Sequence, residues 1–208
     1  MKHITTSNQT MRIYATLSRT EALGPYMRFA LWVQGCKRDC AGCMSQDARS
    51  FDGGALVSVK ALAEQIAKDA ETEGITISGG EPFEQPFAVS LLIDSVRMVK
   101  DAGVIAYTGY TMAQLIELAT TDRNVKRLLG KIDILIDGPY MEELNDGLSL
   151  RGSSNQVVHQ LTDRYRDVKC FNKPERSVEL HLLGKEIFLA GIPGRECLNQ
   201  WKKRYFLK

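Results

Sequence analysis

Apolar residues fall along this chain in short blocks whose spacing switches between two periods. Phe29-Ala-Leu-Trp-Val33 is a compact run rich in strand formers, and it leads straight into a cluster of cysteines. Ser58 is placed as the N-cap of a helix over residues 59–70, with Val59, Leu62, Ile66 and Ala70 on one face. Gly74–Ile77 reads as a strand ending in Ser78-Gly-Gly-Glu-Pro82, and a helix over 86–101 follows, stopped by Gly103. Val104–Tyr107 is a strand ending in Thr108-Gly-Tyr110, followed by helical stretches over 111–119 and 124–129. Ile132–Ile136 is a strand ending in Asp137-Gly-Pro-Tyr140. A polar segment then runs to Arg151-Gly-Ser-Ser-Asn-Gln156, before a short apolar pair, Val157-Val158. Beyond residue 163 the rhythm fades, leaving a strand pair over 178–182 and 186–190.

Strands alternating with helices predict an α/β fold around a parallel sheet, and periodicity alone does not say whether that sheet is open or closed. Either way, binding sites collect at the carboxyl ends of the strands. Four motifs stand at such ends: the cysteine loop, SGGEP, YTGY and DGPY. They are therefore expected to line one mouth.

Composition narrows the class without naming a chemistry. A chain of 208 residues and 23.3 kDa is one domain with room for a tail, and 44% hydrophobic with 25% charged residues is ordinary globular usage. A formal charge of +2 gives no reason to expect a nucleic-acid partner. No apolar run approaches membrane-spanning length, and the polar start MKHITTSNQT lacks the apolar core of an export signal, so the expected location is the cytoplasm. The charge is uneven, however. Residues 163–208 carry 11 Lys+Arg against 6 Asp+Glu, a net +5 that leaves −3 on the first 162 residues. The predicted division is a core over 1–162 and a basic extension over 163–208 packed on or beside it.

Of five cysteines, Cys36, Cys40 and Cys43 form a C-x3-C-x2-C cluster, while Cys170 and Cys197 are isolated. An odd count with three crowded together argues against a disulfide framework. Three readings of the cluster compete. A redox pair at Cys40 and Cys43 needs no third cysteine upstream. Structural zinc wants four closed ligands, commonly as two separated pairs, and neither isolated cysteine is paired. An iron–sulfur cluster on three thiolates leaves one iron open, and an open coordination position generally means chemistry.

The remaining strand-end residues are ambiguous one by one. Gly79 and Gly80 permit close approach of backbone to a ligand, and Glu81 offers a carboxylate to an ammonium group, but the same residues make a tight strand-to-helix turn. Thr108 presents a hydroxyl. Asp137 takes a rim position, or simply forms an Asp-Gly turn. Ser153, Ser154, Asn155 and Gln156 make a dense hydrogen-bonding patch, or a polar loop. His3, His159 and His181 are scattered, and none receives a catalytic role.

Taken in order, Cys36-x3-Cys40-Ala-Gly-Cys43, Ser78-Gly-Gly-Glu-Pro82, Tyr107-Thr-Gly-Tyr110 and Arg151-Gly-Ser-Ser-Asn-Gln-Val-Val-His159 resemble the radical SAM superfamily. Within it, they resemble the glycyl-radical-enzyme activases of the anaerobic (class III) ribonucleotide reductase branch. The resemblance covers about residues 24–162. It implies a partial (β/α)6 barrel with a short C-terminal extension. It implies a 4Fe-4S cluster on Cys36, Cys40 and Cys43, and S-adenosylmethionine bound through Gly79, Gly80, Glu81, Ser78, Thr108, Asp137, Ser154 and Asn155. The reaction implied is reductive cleavage of S-adenosylmethionine to a 5′-deoxyadenosyl radical, which takes a hydrogen atom from a glycine of a partner glycyl-radical enzyme. The implied electron donor is a flavodoxin or ferredoxin. The competing reading is a radical SAM enzyme acting on a small molecule or ribosomal peptide. Gly42 before the third cysteine agrees with the ribonucleotide reductase branch. Pro139 stands where some relatives carry a lysine, and residues 163–208 lie past the matched region.

Overall fold

The computed structural model describes residues 9–148, 150–172, 176–184, 186–197 and 199–200. A seven-stranded sheet forms its centre. The strands are β1 (Thr10–Thr20), β2 (Arg28–Val33), β3 (Ala55–Ser58), β4 (Gly74–Gly79), β5 (Gly103–Tyr107), β6 (Ile134–Asp137) and β7 (Val157–Gln160), in the order β3-β1-β2-β4-β5-β6-β7. The central four, β2, β4, β5 and β6, pair in parallel; β1 pairs antiparallel with both β2 and β3, and β7 antiparallel with β6. The fold is thus mixed α/β around a mainly parallel sheet. Because Val33 pairs with Gly79 and Tyr107 with Ile136, the parallel strands end level with one another. That register brings the loops after them to a single edge.

One face of the sheet carries the helices. Ser58 caps α1 (Val59–Lys68), accepting the Ala61 amide at 3.3 Å, and the stripe Val59, Leu62, Ala63 and Ile66 is buried. Val59, Leu62 and Ile66, fully buried, each contribute about 1.5–3 kcal/mol. Pro86 opens α2 (Pro86–Arg97) at the position where its missing amide costs nothing. A capping box of Thr111 and Gln114 opens α3 (Met112–Thr121), and Asp122 caps α4 (Arg123–Leu129). Ile75, Ile77, Val104, Ala106 and Leu135 meet these helices from the sheet.

The opposite face presents Ala30, Trp32, Ile105, Tyr107, Ile134 and Ile136. Here the segment after β7 folds back as a second layer. Tyr165 and Phe171 pack under Ile105 and Ile134, while the hairpin of β8 (Val178–Leu183) and β9 (Glu186–Gly191) sets Phe188 edge-on to Trp32, ring centroids 5.0 Å apart. At the amino ends of the strands, Arg28 is fully buried. Its guanidinium donates to the Tyr165 hydroxyl at 2.6 Å, to Thr76 and to the Ile75 carbonyl, and it pairs with Glu73.

Four details differ from the sequence expectations. The helix expected over 59–70 ends at Lys68, leaving Ala70 exposed. The 11-residue β1 and the short β3 have no counterpart among the elements expected from the sequence, although Met11, Ile13 and Leu17 are buried at strand spacing. Two register shifts in the β1–β2 pairing blur that alternation. The helix expected over 86–101 ends at Arg97, with Met98 and Val99 exposed. Gly103 starts β5 instead of stopping a helix, and a Cβ there would strike the Arg164 and Tyr165 side chains. Among the described residues, no helix is long and apolar enough to cross a membrane. His3 lies outside the described residues.

Candidate functional site

The cysteine loop is built on the end of β2. The Gly35 amide donates to the Ala48 carbonyl at 2.8 Å and the Cys36 amide to the Arg49 carbonyl at 3.0 Å, closing the loop at its base. Gln34 is buried beneath it, its side-chain amide donating to the carbonyls of Asp47 and Ser50. Cys36, Cys40 and Cys43 are half-buried, reduced, and close enough to influence one another electrostatically. Burial pushes the Cys36 and Cys43 thiols up, and the neighbouring thiols reinforce the effect. Groups of this kind are costly as free thiolates and favourable as metal ligands, because a bound cation removes the proton and supplies the opposing charge. Among the described residues, no three His, Cys, Asp or Glu side chains are gathered tightly enough for one ion. An iron–sulfur cube differs in that each thiolate takes its own iron, so the donors stand further apart than around one metal.

The SGGE turn is fitted to the base of that loop. The Gly80 amide donates to the Val33 carbonyl at 2.8 Å and the Glu81 amide to the Gly35 carbonyl at 2.9 Å. Gly79 has φ +106°, a conformation L side chains rarely adopt, and a Cβ on Gly80 would meet the Ala48 carbonyl oxygen at 2.7 Å. Both glycines are therefore required where strand end and cysteine loop touch. Ser78 pairs with Trp32 across the β2–β4 ladder, on the face away from the helices.

Glu81 is 1% exposed and turns inward. One carboxylate oxygen accepts the Thr108 hydroxyl at 2.9 Å and the Phe83 amide at 3.1 Å; the other accepts the Gly109 amide at 2.8 Å. Burial pushes this carboxyl up to about 7, against the pull of those three hydrogen bonds and of the Arg38 charge. Glu81 thus ties the ends of β4 and β5 together while remaining poised near neutral pH.

Arg38, between the first two cysteines, completes the assembly. Its guanidinium lies 4.0 Å from the centroid of the Tyr110 ring and donates to Gln114 at 3.2 Å. Lys37 pairs with Glu84 at 2.8 Å. Sequence reasoning missed Arg38 and Tyr110 as partners, since no period links a loop residue to a strand end 72 positions on.

The other candidates divide into two groups. Asp137 is buried on the helix side, accepting the Met112 amide at 2.5 Å and the Val157 amide at 3.2 Å, with His159 Nε2 at 3.1 Å. That contact is at ion-pair distance but lacks hydrogen-bond alignment. Asp137 therefore braces α3 and β7 against the end of β6. Ser154 is exposed, and its amide donates to the Leu144 carbonyl. Asn155 donates to the Pro139 carbonyl at 2.8 Å, while its side-chain oxygen is buried and accepts nothing among the described residues. A buried acceptor without a donor is costly, and it fits a ligand bearing N–H or O–H groups. The loop carrying these residues reaches the cysteine loop: a Cβ on Gly42, where φ is +73°, would collide with Glu142. The structure thus gathers the cysteine loop, SGGEP, YTGY and DGPY at one edge, the first three joined by Glu81 and Arg38 and the last by the Gly138 amide donating to the Tyr110 carbonyl at 2.8 Å.

A family model described as a 4Fe-4S single cluster domain matches residues 22–159. The anaerobic ribonucleoside-triphosphate reductase-activating protein of Vibrio cholerae is 36% identical over 148 residues, covering 67% of this chain and 91% of that protein. Its counterpart from bacteriophage T4 is 30% identical over 146 residues, covering 67% and 88%. The pyruvate formate-lyase-activating enzyme of Listeria monocytogenes is 32% identical over 98 residues, 45% of this chain and 38% of that enzyme. A half-buried thiol trio seated on a glycine-lined strand end, within a match of this extent, places the chain in the 4Fe-4S single-cluster family to which the anaerobic ribonucleoside-triphosphate reductase-activating proteins belong.

Proposed function

We propose that this chain activates a glycyl-radical enzyme, most closely an anaerobic ribonucleotide reductase, using a 4Fe-4S cluster and S-adenosylmethionine. The observation that carries the reading is the continuity of the thiol loop with the β4 and β5 ends. Gly80, Glu81, Gly35 and Cys36 belong to one run of backbone hydrogen bonds, and Arg38 spans from the thiols to Tyr110. In this reading Cys36, Cys40 and Cys43 hold the cluster. When bound, the cluster supplies one low-potential electron that cleaves the sulfonium of S-adenosylmethionine, releasing a 5′-deoxyadenosyl radical that takes a hydrogen atom from a partner glycine.

The chain's own residues bind and orient. Gly79 and Gly80 let the end of β4 sit directly against the base of the cysteine loop. Glu81, buried and held by Thr108, Phe83 and Gly109, keeps the two strand ends at fixed separation and does not face an incoming ammonium group, contrary to the sequence expectation. Asp137 holds the start of α3. Ser154 and the unfilled Asn155 oxygen face the nucleoside end. We read the parallel strands as the partial (β/α)6 barrel of this superfamily, with residues 1–162 as the core and 163–208 as an appended layer. A flavodoxin or ferredoxin is the proposed electron donor.

The test is anaerobic reconstitution with iron and sulfide, then dithionite and S-adenosylmethionine in the presence of the candidate glycyl-radical subunit. Formation of 5′-deoxyadenosine with a doublet electron paramagnetic resonance signal on the subunit is the expected result. Cleavage with no radical on any glycyl-radical subunit would point instead to a small molecule or peptide substrate. Zinc in place of iron would remove the reading.

A further inference from the structure

The family match ends at residue 159, yet the segment beyond it reaches back to the mouth. Arg176 is the main link. Its side chain is 5% exposed, and its donors reach into the loop between β6 and β7 and to Pro193 beyond β9. Nε donates to the Leu148 carbonyl at 2.6 Å. Nη1 donates to Asn145 Oδ1 at 2.8 Å and to the Pro193 carbonyl at 3.4 Å. Nη2 donates to the Arg151 carbonyl and to the Gly152 carbonyl at 3.2 Å. Arg195 adds a second hold, donating to the carbonyls of Glu142 at 3.0 Å and Glu143 at 2.5 Å.

Two features give this anchoring a purpose beyond packing. Leu150 lies between the gripped carbonyls with φ +59°, a strained conformation for a branched side chain that persists only where its surroundings impose it. The held loop also ends at Ser154 and at Asn155, whose side-chain oxygen is buried and without a donor among the described residues. A loop pinned by backbone carbonyls on one side presents its other side in a single geometry, which is what binding without an ordering cost requires.

We propose that Arg176 is a positioning residue. It uses the C-terminal layer to lock residues 145–148 and 150–155 so that Ser154 and Asn155 meet S-adenosylmethionine. This rests on the reading of the site given above. The guanidinium suits the task because a rigid fork of five donors spans several carbonyls, which an ammonium does not.

The experiment compares iron-loaded wild type, Arg176→Ala and Arg176→Lys. Iron content is expected to be unchanged in both variants. In Arg176→Ala the KM for S-adenosylmethionine is expected to rise about tenfold or more, with faster hydrogen exchange at residues 145–156. Low-millimolar guanidinium, but not urea or potassium, should lower that KM again, a response that lost packing alone would not give. Arg176→Lys should lie in between, and it decides the matter if the alanine variant does not fold. Wild-type KM in a folded variant, or a raised KM that guanidinium leaves unchanged, overturns the role. A wild-type chain that holds iron but does not bind S-adenosylmethionine overturns the underlying reading of the site.

Discussion

Replacing Glu81 with Gln tests how the mouth is held together, because it removes the charge and keeps the shape. In the folded, metal-free chain burial raises this carboxyl from 4.5 to about 7. Below pH 4.5 the group is protonated whether the chain is folded or not, so it costs nothing there. Between pH 4.5 and 7 the folded state binds the proton more tightly than the unfolded state, so stability falls as pH rises, and above 7 the whole penalty is present. A shift of that size corresponds to about 3 kcal/mol. Glutamine escapes the penalty but introduces a different one. Its NH2 must face either the Gly109 amide or the pair Thr108 and Phe83, setting donor against donor at about 1–3 kcal/mol independent of pH. The variant is therefore expected to be the less stable protein near pH 5 and equal or more stable near pH 8. Urea denaturation of reduced, iron-free wild type and Glu81→Gln across this range reads the difference directly. Groups common to both chains cancel. Parallel stability curves would refute the argument that burial dominates the Glu81 environment.

Other expectations follow from the same contacts. Gly80→Ala would drive a methyl into the carbonyls of Gly35 and Ala48, so it should cost about 1–3 kcal/mol in thermal unfolding and reduce the iron retained after reconstitution. Tyr165→Phe removes the hydroxyl that links Arg28 to Glu73, leaving a buried guanidinium one acceptor short. A loss of about 1–3 kcal/mol by chemical denaturation is expected. Asp94→Asn breaks ion pairs with Arg127 and Lys131, worth about 0.5–1 kcal/mol at their partial exposure. Burial works against the Asp94 carboxylate, but the hydrogen bonds from Lys131 and Arg127 outweigh it and hold its pKa below the usual range. The wild-type advantage should therefore be complete above about pH 4 and vanish as pH falls further, measured as the difference between the two unfolding curves.

The mouth can be described from the sequence because its parts are local. A C-x3-C-x2-C cluster, a Gly-Gly-Glu turn and a Thr-Gly turn each sit within a few residues of a strand end, and parallel strands bring such ends to one edge. Period and cap chemistry likewise located α1, α3, α4 and the four parallel strands. What the chain does to join those parts is not local. Arg38 on Tyr110, Glu81 on Gly109, and Arg176 on the carbonyls of Leu148 and Gly152 connect positions between 24 and 72 residues apart. No periodic signal encodes such pairs.

Sequence by itself determined the cysteine spacing and the four parallel strands with the turns at their ends, because hydrophobic period and short-range turn chemistry act over a few bonds. Only the tertiary structure decided that Glu81 is buried against the next strand and that Asp137 braces a helix on the far face. It alone decided that the C-terminal layer covers the bare side of the sheet and grips the loop from behind. Those outcomes depend on where water is excluded, and exclusion is a property of the packed chain rather than of any stretch of it.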